Sequence, residues 1–488
     1  MRKSLVLLLL LLPFAGFAQQ VPAPEKWDLR KCVEYAWEHN ISVRQSDIQA
    51  RIANLTYEQS KLSRYPNANF TNSTGTNFGR AINPATNLFE SSTLLFQQYN
   101  LNVNAQIFNF GNVKNQILAN QFNYQAAKED VQRNKNDIGL TVATTYLQVL
   151  LAKEQARIAA AQMELTRARL SDTRKRVDAG SLPELSALEL EAQYARDSSS
   201  YIAAVTTADQ NLLNLKATLN LDAAVSFDIL VPPVNMIPVD NIADLQPDIV
   251  YQAALQSQPQ IKVNDFRMRA LEYNLKASKA ALYPTLTAFG GLGTNFANPN
   301  TQTSVTFAGY ASSPNFPPLV NVNGTNYPLQ TPQFNFIQGK KGFGDIWSGW
   351  GTQINENFRQ NIGIQISVPI FNGSNARTAY KRVQLDIKNN ELLKEQAAQT
   401  LKNNIYQAYV AATNALQRYN ASKKTLDISE RTYTLAQKRY DAGLLQTIDL
   451  ITNQNNLFRA RIQAIADQYD YVFRMKVLEF YKGQGLRL

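Results

Sequence analysis

The chain has one cysteine, Cys32, and one histidine, His39, among 488 residues. A single thiol excludes an intrachain disulfide, and without clustered imidazoles and thiolates a His/Cys metal site is excluded as well. Nothing else nominates an active centre: no phosphate-binding glycine loop opens a helix, and the carboxylates are scattered along helix faces rather than converging. No enzymatic activity and no cofactor are therefore expected. Cys32 reads as a partly buried helix residue.

Long apolar runs are also missing after the first residues. Arg2 and Lys3 precede an apolar stretch from Leu5 to Leu12, and small residues follow at Gly16 and Ala18. This is the layout of a secretory signal over residues 1–18, too short for the roughly 20 residues of a spanning helix. No later segment approaches that length, so any placement in a membrane has to use β-strands, the other structure that satisfies every backbone group in lipid. Basic blocks are absent too. The 49 Lys and Arg and 38 Asp and Glu are interspersed, so the +11 net charge describes a solvated helical surface and not a nucleic-acid site.

Proline and glycine are unevenly spread. Asn112 to Ala179 contains no proline and only Gly139, and Ser374 to Ala442 contains neither. Each stretch predicts a helix of about 100 Å at the α-helical rise. The returning segments Glu184–Asn220 and Leu444–Lys482 also lack both breakers. Heptad spacing of Leu151, Ile158, Ala161, Leu165 and Ala168, and of Leu450, Leu457, Ala460, Ala464 and Tyr471, predicts antiparallel coiled-coil packing.

The chain repeats itself. Val43, Asp47, Arg51, Ser60, Lys61, Tyr65 and Pro66 recur 218 positions later as Ile261, Asp265, Arg269, Ser278, Lys279, Tyr283 and Pro284. A second set recurs at 263: Ile107-Phe108-Asn109 as Ile370-Phe371-Asn372, Tyr146 as Tyr409, and Arg176, Asp178, Ala179 and Gly180 as Arg439, Asp441, Ala442 and Gly443. The shift grows by 45 between Pro284 and Ile370, where charge is almost absent, so a long loop over 295–358 is expected. The predicted organisation is a first repeat over 19–221, with strands near 66–78 and 98–108 and a helix hairpin over 112–220. A Pro-rich linker spans 222–248, and a second repeat covers 249–488, with strands near 284–294 and 360–371 and a hairpin over 374–482.

Before each long helix the sequence alternates strictly. Tyr99, Leu101, Val103, Ala105 and Ile107 interleave with polar residues, and Ile362, Ile364, Ile366, Val368 and Ile370 alternate with Gly363, Gln365, Ser367 and Pro369. Period-two alternation over about 9 residues is the length and pattern of a transmembrane strand, with these side chains toward lipid. Four strands cannot close a barrel in a bilayer. Two copies would give eight strands and three twelve, and a water-filled bore favours the larger number.

The duplicated order of elements, the Ile370-Phe371-Asn372-Gly373 turn and the paired tips Arg176-Val177-Asp178-Ala179-Gly180 and Arg439-Tyr440-Asp441-Ala442-Gly443 resemble the outer-membrane efflux protein family typified by TolC. The resemblance implies an α+β chain forming a homotrimer, with a twelve-stranded barrel through outer-membrane lipid and a periplasmic α-barrel of coiled-coil helices. It also implies two partners, a periplasmic adaptor protein and an inner-membrane transporter, for efflux or type I secretion without chemical change to the cargo. The tip residues Arg176, Asp178, Gly180, Arg439, Tyr440, Asp441 and Gly443 are then both helix ends and adaptor contacts. Family members of the TolC type narrow the periplasmic mouth with two acids three apart. Here those positions hold Asp449 and Thr452, with Ser186 and Glu189 in the first half, so one acid of the pair is kept. At the first tip, Ser181 and Glu184 predict a capping box. The alternative is an exported structural or adhesion coiled-coil trimer.

Overall fold

The computed structural model describes residues 26–82, 87, 89–91, 93–231, 240–312 and 319–484, so the predicted signal over 1–18 and linker residues Pro232, Pro233 and Pro238 lie outside them. In chain order the elements are β1 (Lys26–Trp27), α1 (Leu29–His39), α2 (Ile41–Leu62), β2 (Asn67–Asn77), β3 (Arg80–Ile82), β4 (Phe89–Ser91), β5 (Leu94–Phe108), α3 (Asn112–Asp178), α4 (Glu184–Leu219) and β6 (Asp228–Ile229). A 3-10 turn (Ile242–Leu245) then leads into α5 (Pro247–Ser257), α6 (Pro259–Ala280), β7 (Thr285–Pro299), β8 (Thr301–Ser312), β9 (Leu319–Val322), β10 (Thr325–Pro328), β11 (Gln330–Lys340), α7 (Phe343–Ile346), α8 (Trp350–Glu356), β12 (Arg359–Ser367), α9 (Asn375–Asp441) and α10 (Thr447–Lys482). Among the described residues no helix is long and apolar enough to cross a membrane.

The duplication is carried by geometry. Helices α1 and α5 each have 11 residues, α2 and α6 each 22, α3 and α9 each 67, and α4 and α10 each 36. Their boundaries are displaced by the 218 and 263 positions found in the sequence.

One compact unit comprises the chain up to Asn54, Phe122–Arg269 and Lys388 onward. Two of its hydrophobic cores have corresponding members. Cys32, Ala36, Val142, Val149 and Leu215 are fully buried in the first, and Val250, Ala254, Ile405, Ala412 and Leu478 occupy the same places in the second. Asp28 starts α1 by accepting the Lys31 amide at 2.8 Å, the shortest route to satisfying an orphan donor at a helix start. The Tyr146 hydroxyl donates to Leu230 O at 2.7 Å, tying α3 to the end of β6.

The other unit, Leu55–Gln121 and Ala270–Ile387, contains an antiparallel sheet of order β12-β7-β5-β2. The stretch expected to be a loop over 295–358 is mostly strand. There β7 runs on to Pro299, β8 pairs with β11, and β9 and β10 form a tighter hairpin. Its turn is Asn323-Gly324, both left-handed (φ 53° and 82°), the combination a two-residue hairpin turn prefers. In the opposite direction, β12 stops at Ser367, short of Val368 and Ile370, because Pro369 has no amide to give a ladder.

Burial pushes the Cys32 thiol up to about 12, and the Asp28 carboxylate adds to the rise. A raised value keeps the thiol neutral at pH 8, where only the thiolate alkylates. Iodoacetamide at that pH should leave the folded protein unlabelled and modify it fully in denaturant. Labelling of the native protein at the rate of a free thiol would contradict this packing.

Candidate functional site

The sheet sorts its side chains into two faces. Residues directly opposed across strands share a face, which gives rows Phe70-Leu101-Leu292-Gln360, Ala68-Val103-Gly290-Ile362, Ala105-Ala288-Ile364 and Phe108-Leu286-Ile366 on one side. The other side carries Asn69-Asn102-Gly291-Asn361 and Thr71-Asn100-Gly293-Arg359. Ile362, Ile364 and Ile366 are 92%, 68% and 68% exposed, so this part of the apolar face is uncovered among the described residues. The register shifts between Gln106 and Phe108, so Phe108 and not Ile107 stands opposite Leu286. Such a bulge leaves one residue unpaired and re-aims its neighbours.

The strands enter the long helices through a turn with two successive left-handed residues, Phe110 and Gly111 in the first half (φ 51° and 80°) and Gly373 and Ser374 in the second (φ 64° and 63°). The first helical hydrogen bonds then follow, Asn115 N to Gly111 O and Thr378 N to Ser374 O, both at 2.9 Å.

At the tips the two halves again agree. Gly180 N donates to Val177 O at 2.8 Å and Ser181 N to Arg176 O at 2.9 Å, while Gly443 N donates to Tyr440 O at 2.9 Å and Leu444 N to Arg439 O at 2.8 Å. Both are Schellman ends that consume carbonyls the helix leaves orphaned. Gly180 and Gly443 have φ of 73°, which explains glycine at these positions. The predicted capping box does not form: the Ser181 hydroxyl donates back to Arg176 O at 2.8 Å, and α4 has Pro183 at its N-cap with no side-chain hydrogen bond. Arg176 pairs with Asp172 at 3.0 Å along its own helix. The Tyr440 hydroxyl meets that of Thr173 at 3.5 Å, so the two tips lie side by side, and Asp178, Arg439 and Asp441 are exposed around them.

Asp449 is exposed in the first turn of α10, where the helix dipole favours a carboxylate. The Thr452 hydroxyl donates to Ile448 O at 2.8 Å, and Glu189 is half-buried on α4. Among the described residues no hydrogen bond or ion pair joins Asp449, Thr452 and Glu189.

Sequence reasoning missed a buried polar layer above the tips. Asp197, 5% exposed, accepts from the Thr166 hydroxyl at 2.6 Å and from Gln193 at 2.7 Å; Thr166 in turn accepts from Gln454 at 2.8 Å. Gln193 and Asn455 exchange amide hydrogen bonds at 3.1 and 3.2 Å. These bonds stitch α3, α4 and α10 together. Thr166 and Gln454 fall beside the heptad positions read from the sequence, such as Leu165 and Leu450, so no periodic signal marked them.

The sequence profile of the family described as outer membrane efflux protein matches residues 33–221 and 348–483, well over half of the chain. The probable outer membrane lipoprotein SilC of Salmonella typhimurium is 21% identical over 435 residues, covering 88% of this chain and 80% of that protein. The alkaline protease secretion protein AprF of Pseudomonas aeruginosa is 27% identical over 139 residues, 28% of each chain. The solved outer membrane protein VceC of Vibrio cholerae superposes with a TM-score of 0.68 at 13% identity, covering 94% of this chain and 97% of that one, so the likeness is one of fold.

Replacing Gly443 by alanine should cost about 1–2 kcal/mol, the penalty of a Cβ in left-handed backbone. Urea unfolding of Gly443→Ala and Gly180→Ala checks it; variants as stable as the parent would mean the tips reverse by another geometry.

Proposed function

Because the chain belongs to the outer membrane efflux protein family, we propose that three copies close into one channel through the outer membrane. The channel accepts cargo from a periplasmic adaptor and an inner-membrane transporter and conducts it outward unchanged. The single observation that carries this is the sheet with one apolar and one polar face and, among the described residues, with β2 and β12 unpaired along their outer edges. An open edge is not tolerated in lipid.

The duplication supplies the docking rule for the next copy. Within the chain the second strand of the first half, β5, pairs with the first strand of the second half, β7, and Leu101 stands opposite Leu292. Shifting each partner by its repeat distance pairs β12 with β2 of a neighbour and sets Ile364 opposite the partner's Thr74. Both lie on the apolar face.

The helices follow the same rule. The Phe122 ring of α3 stacks on Phe266 of α6, with centroids 6.3 Å apart. The equivalent pair is Leu385 of α9 and Ile48 of α2, each exposed here at 65% and 55%. Leu385 meets the partner's Ile48 in the closed ring. The exposed tips Asp178, Gly180, Arg439, Asp441 and Gly443, with Arg176 and Tyr440 behind them, then present a rim for the adaptor. Asp449 of each copy points toward the mouth that the first turns of α10 surround, and Thr452 in place of a second acid weakens any cation binding there.

Ile48→Cys combined with Leu385→Cys should form oxidant-dependent covalent trimers in outer-membrane fractions, with neither single variant doing so. Failure of the pair to cross-link where Ile364→Cys with Thr74→Cys succeeds would refute the helical contact alone. In planar bilayers purified trimers should carry little current until Asp449 is replaced by alanine. A silent Asp449→Ala channel would remove the basis for conduction.

A further inference from the structure

Residues 342–358, which hold α7 and α8, pack against one face of the upper sheet, and the register identifies which. Thr294, Phe296 and Asn298 alternate in step with Leu292, and Gln97 in step with Leu101, so all four belong to the apolar face. Each is engaged from outside. The Thr294 hydroxyl donates to Ile354 O at 2.6 Å, Phe296 stacks on Trp347 with centroids 5.7 Å apart, and Asn298 Nδ2 donates to Ile346 O at 2.8 Å. Asn298 Oδ1 accepts from Lys341 Nζ at 2.6 Å, and Trp350 Nε1 donates to Gln97 Oε1 at 2.9 Å. Gln353 and Asn357 cover the free edge of β7 above β12, through Ala297 N and Asn295 O. The polar groups of the upper apolar face are thereby satisfied by protein, which lipid could not do. What the segment turns outward is Phe343, Trp350 and Phe358, exposed large apolar rings on a short amphipathic stretch.

The level of this stretch is set by counting along β7. From Leu286 to Phe296 is ten residues, about 33 Å of strand, which at a barrel tilt near 40° rises about 25 Å, the height of a lipid-facing band. At the lower limit Phe108, Phe110 and Tyr283 form a second aromatic group, with centroids 4.9 and 4.8 Å apart. Aromatic rings concentrate at both membrane boundaries because their bodies are apolar and their edges tolerate water.

We propose that residues 342–358 form an amphipathic collar on the outside of the barrel, seated at the headgroup–acyl boundary of the outer leaflet, with lipid as its partner. This rests on the membrane-strand assignment of the sheet. A plug in the bore would instead have to lie along the Asn100 and Asn102 rows.

The test attaches the thiol-reactive fluorophore bimane at Phe343→Cys, and separately at Phe358→Cys in case one variant folds poorly, with Cys32 left buried. Trimers are reconstituted in phosphatidylcholine vesicles containing either brominated acyl chains or iodide in the water. Ile364→Cys serves as the lipid-band reference and Asn323→Cys as the aqueous one. The collar predicts blue-shifted emission at Phe343 and Phe358, quenched by lipid brominated near the headgroup. Lipid quenching at Ile364 together with iodide-only quenching at Phe343 and Phe358 overturns the collar and leaves the barrel intact. Absence of lipid quenching at Ile364 overturns the strand assignment and the collar with it.

Discussion

A backbone amide or carbonyl that enters hydrocarbon without a partner costs several kcal/mol, and the four-stranded sheet presents a row of them along β2 and another along β12. Everything else in the chain is compatible with that constraint being met by copies of itself. The sheet cannot rest in a bilayer as one subunit, and its apolar rows cannot rest in water without cover. The proposed closure would couple membrane insertion to assembly and make the two edges a single interface seen from opposite sides.

The duplication makes such closure geometrically natural. Contacts such as Phe122 with Phe266 and the Asn112 amide with Ala277 O join the first half to the second inside the chain. A ring of halves needs the same join from second to first, and the matched lengths of all four helix pairs keep the helices of the two halves in step. The buried Thr166, Asp197 and Gln454 bonds have no such twin among the described residues. The carboxylate there is satisfied by neutral donors alone, which fixes helix register at little gain in stability.

Much of this was legible in the residues. The absence of Pro and Gly over two long stretches located α3 and α9, and the shifts of 218 and 263 reappear as helix boundaries. Strict alternation located β5 and β12. What failed were features decided by pairs of distant residues. The hairpin of β8 and β11 alternates weakly, and only Asn323-Gly324 announced a turn. Ser181 had two partners within reach, and the Arg176 carbonyl won over the start of α4. Ile107 follows the alternation of its strand, yet the bulge passes its place to Phe108, a choice set by β7. The collar contacts join residues as far apart as Gln97 and Trp350, for which local pattern has no signal.

The junctions between strand and long helix carry a further implication. Both halves bend the main chain through the same two left-handed positions, but glycine occupies the second of them in one half, Gly111, and the first in the other, Gly373. The remaining position is filled by an aromatic, Phe110, or by Ser374, and each bears the steric cost that glycine would spare. What the two halves hold in common at this hinge is a path through space, and the residue that eases it has been free to move by one step along the chain.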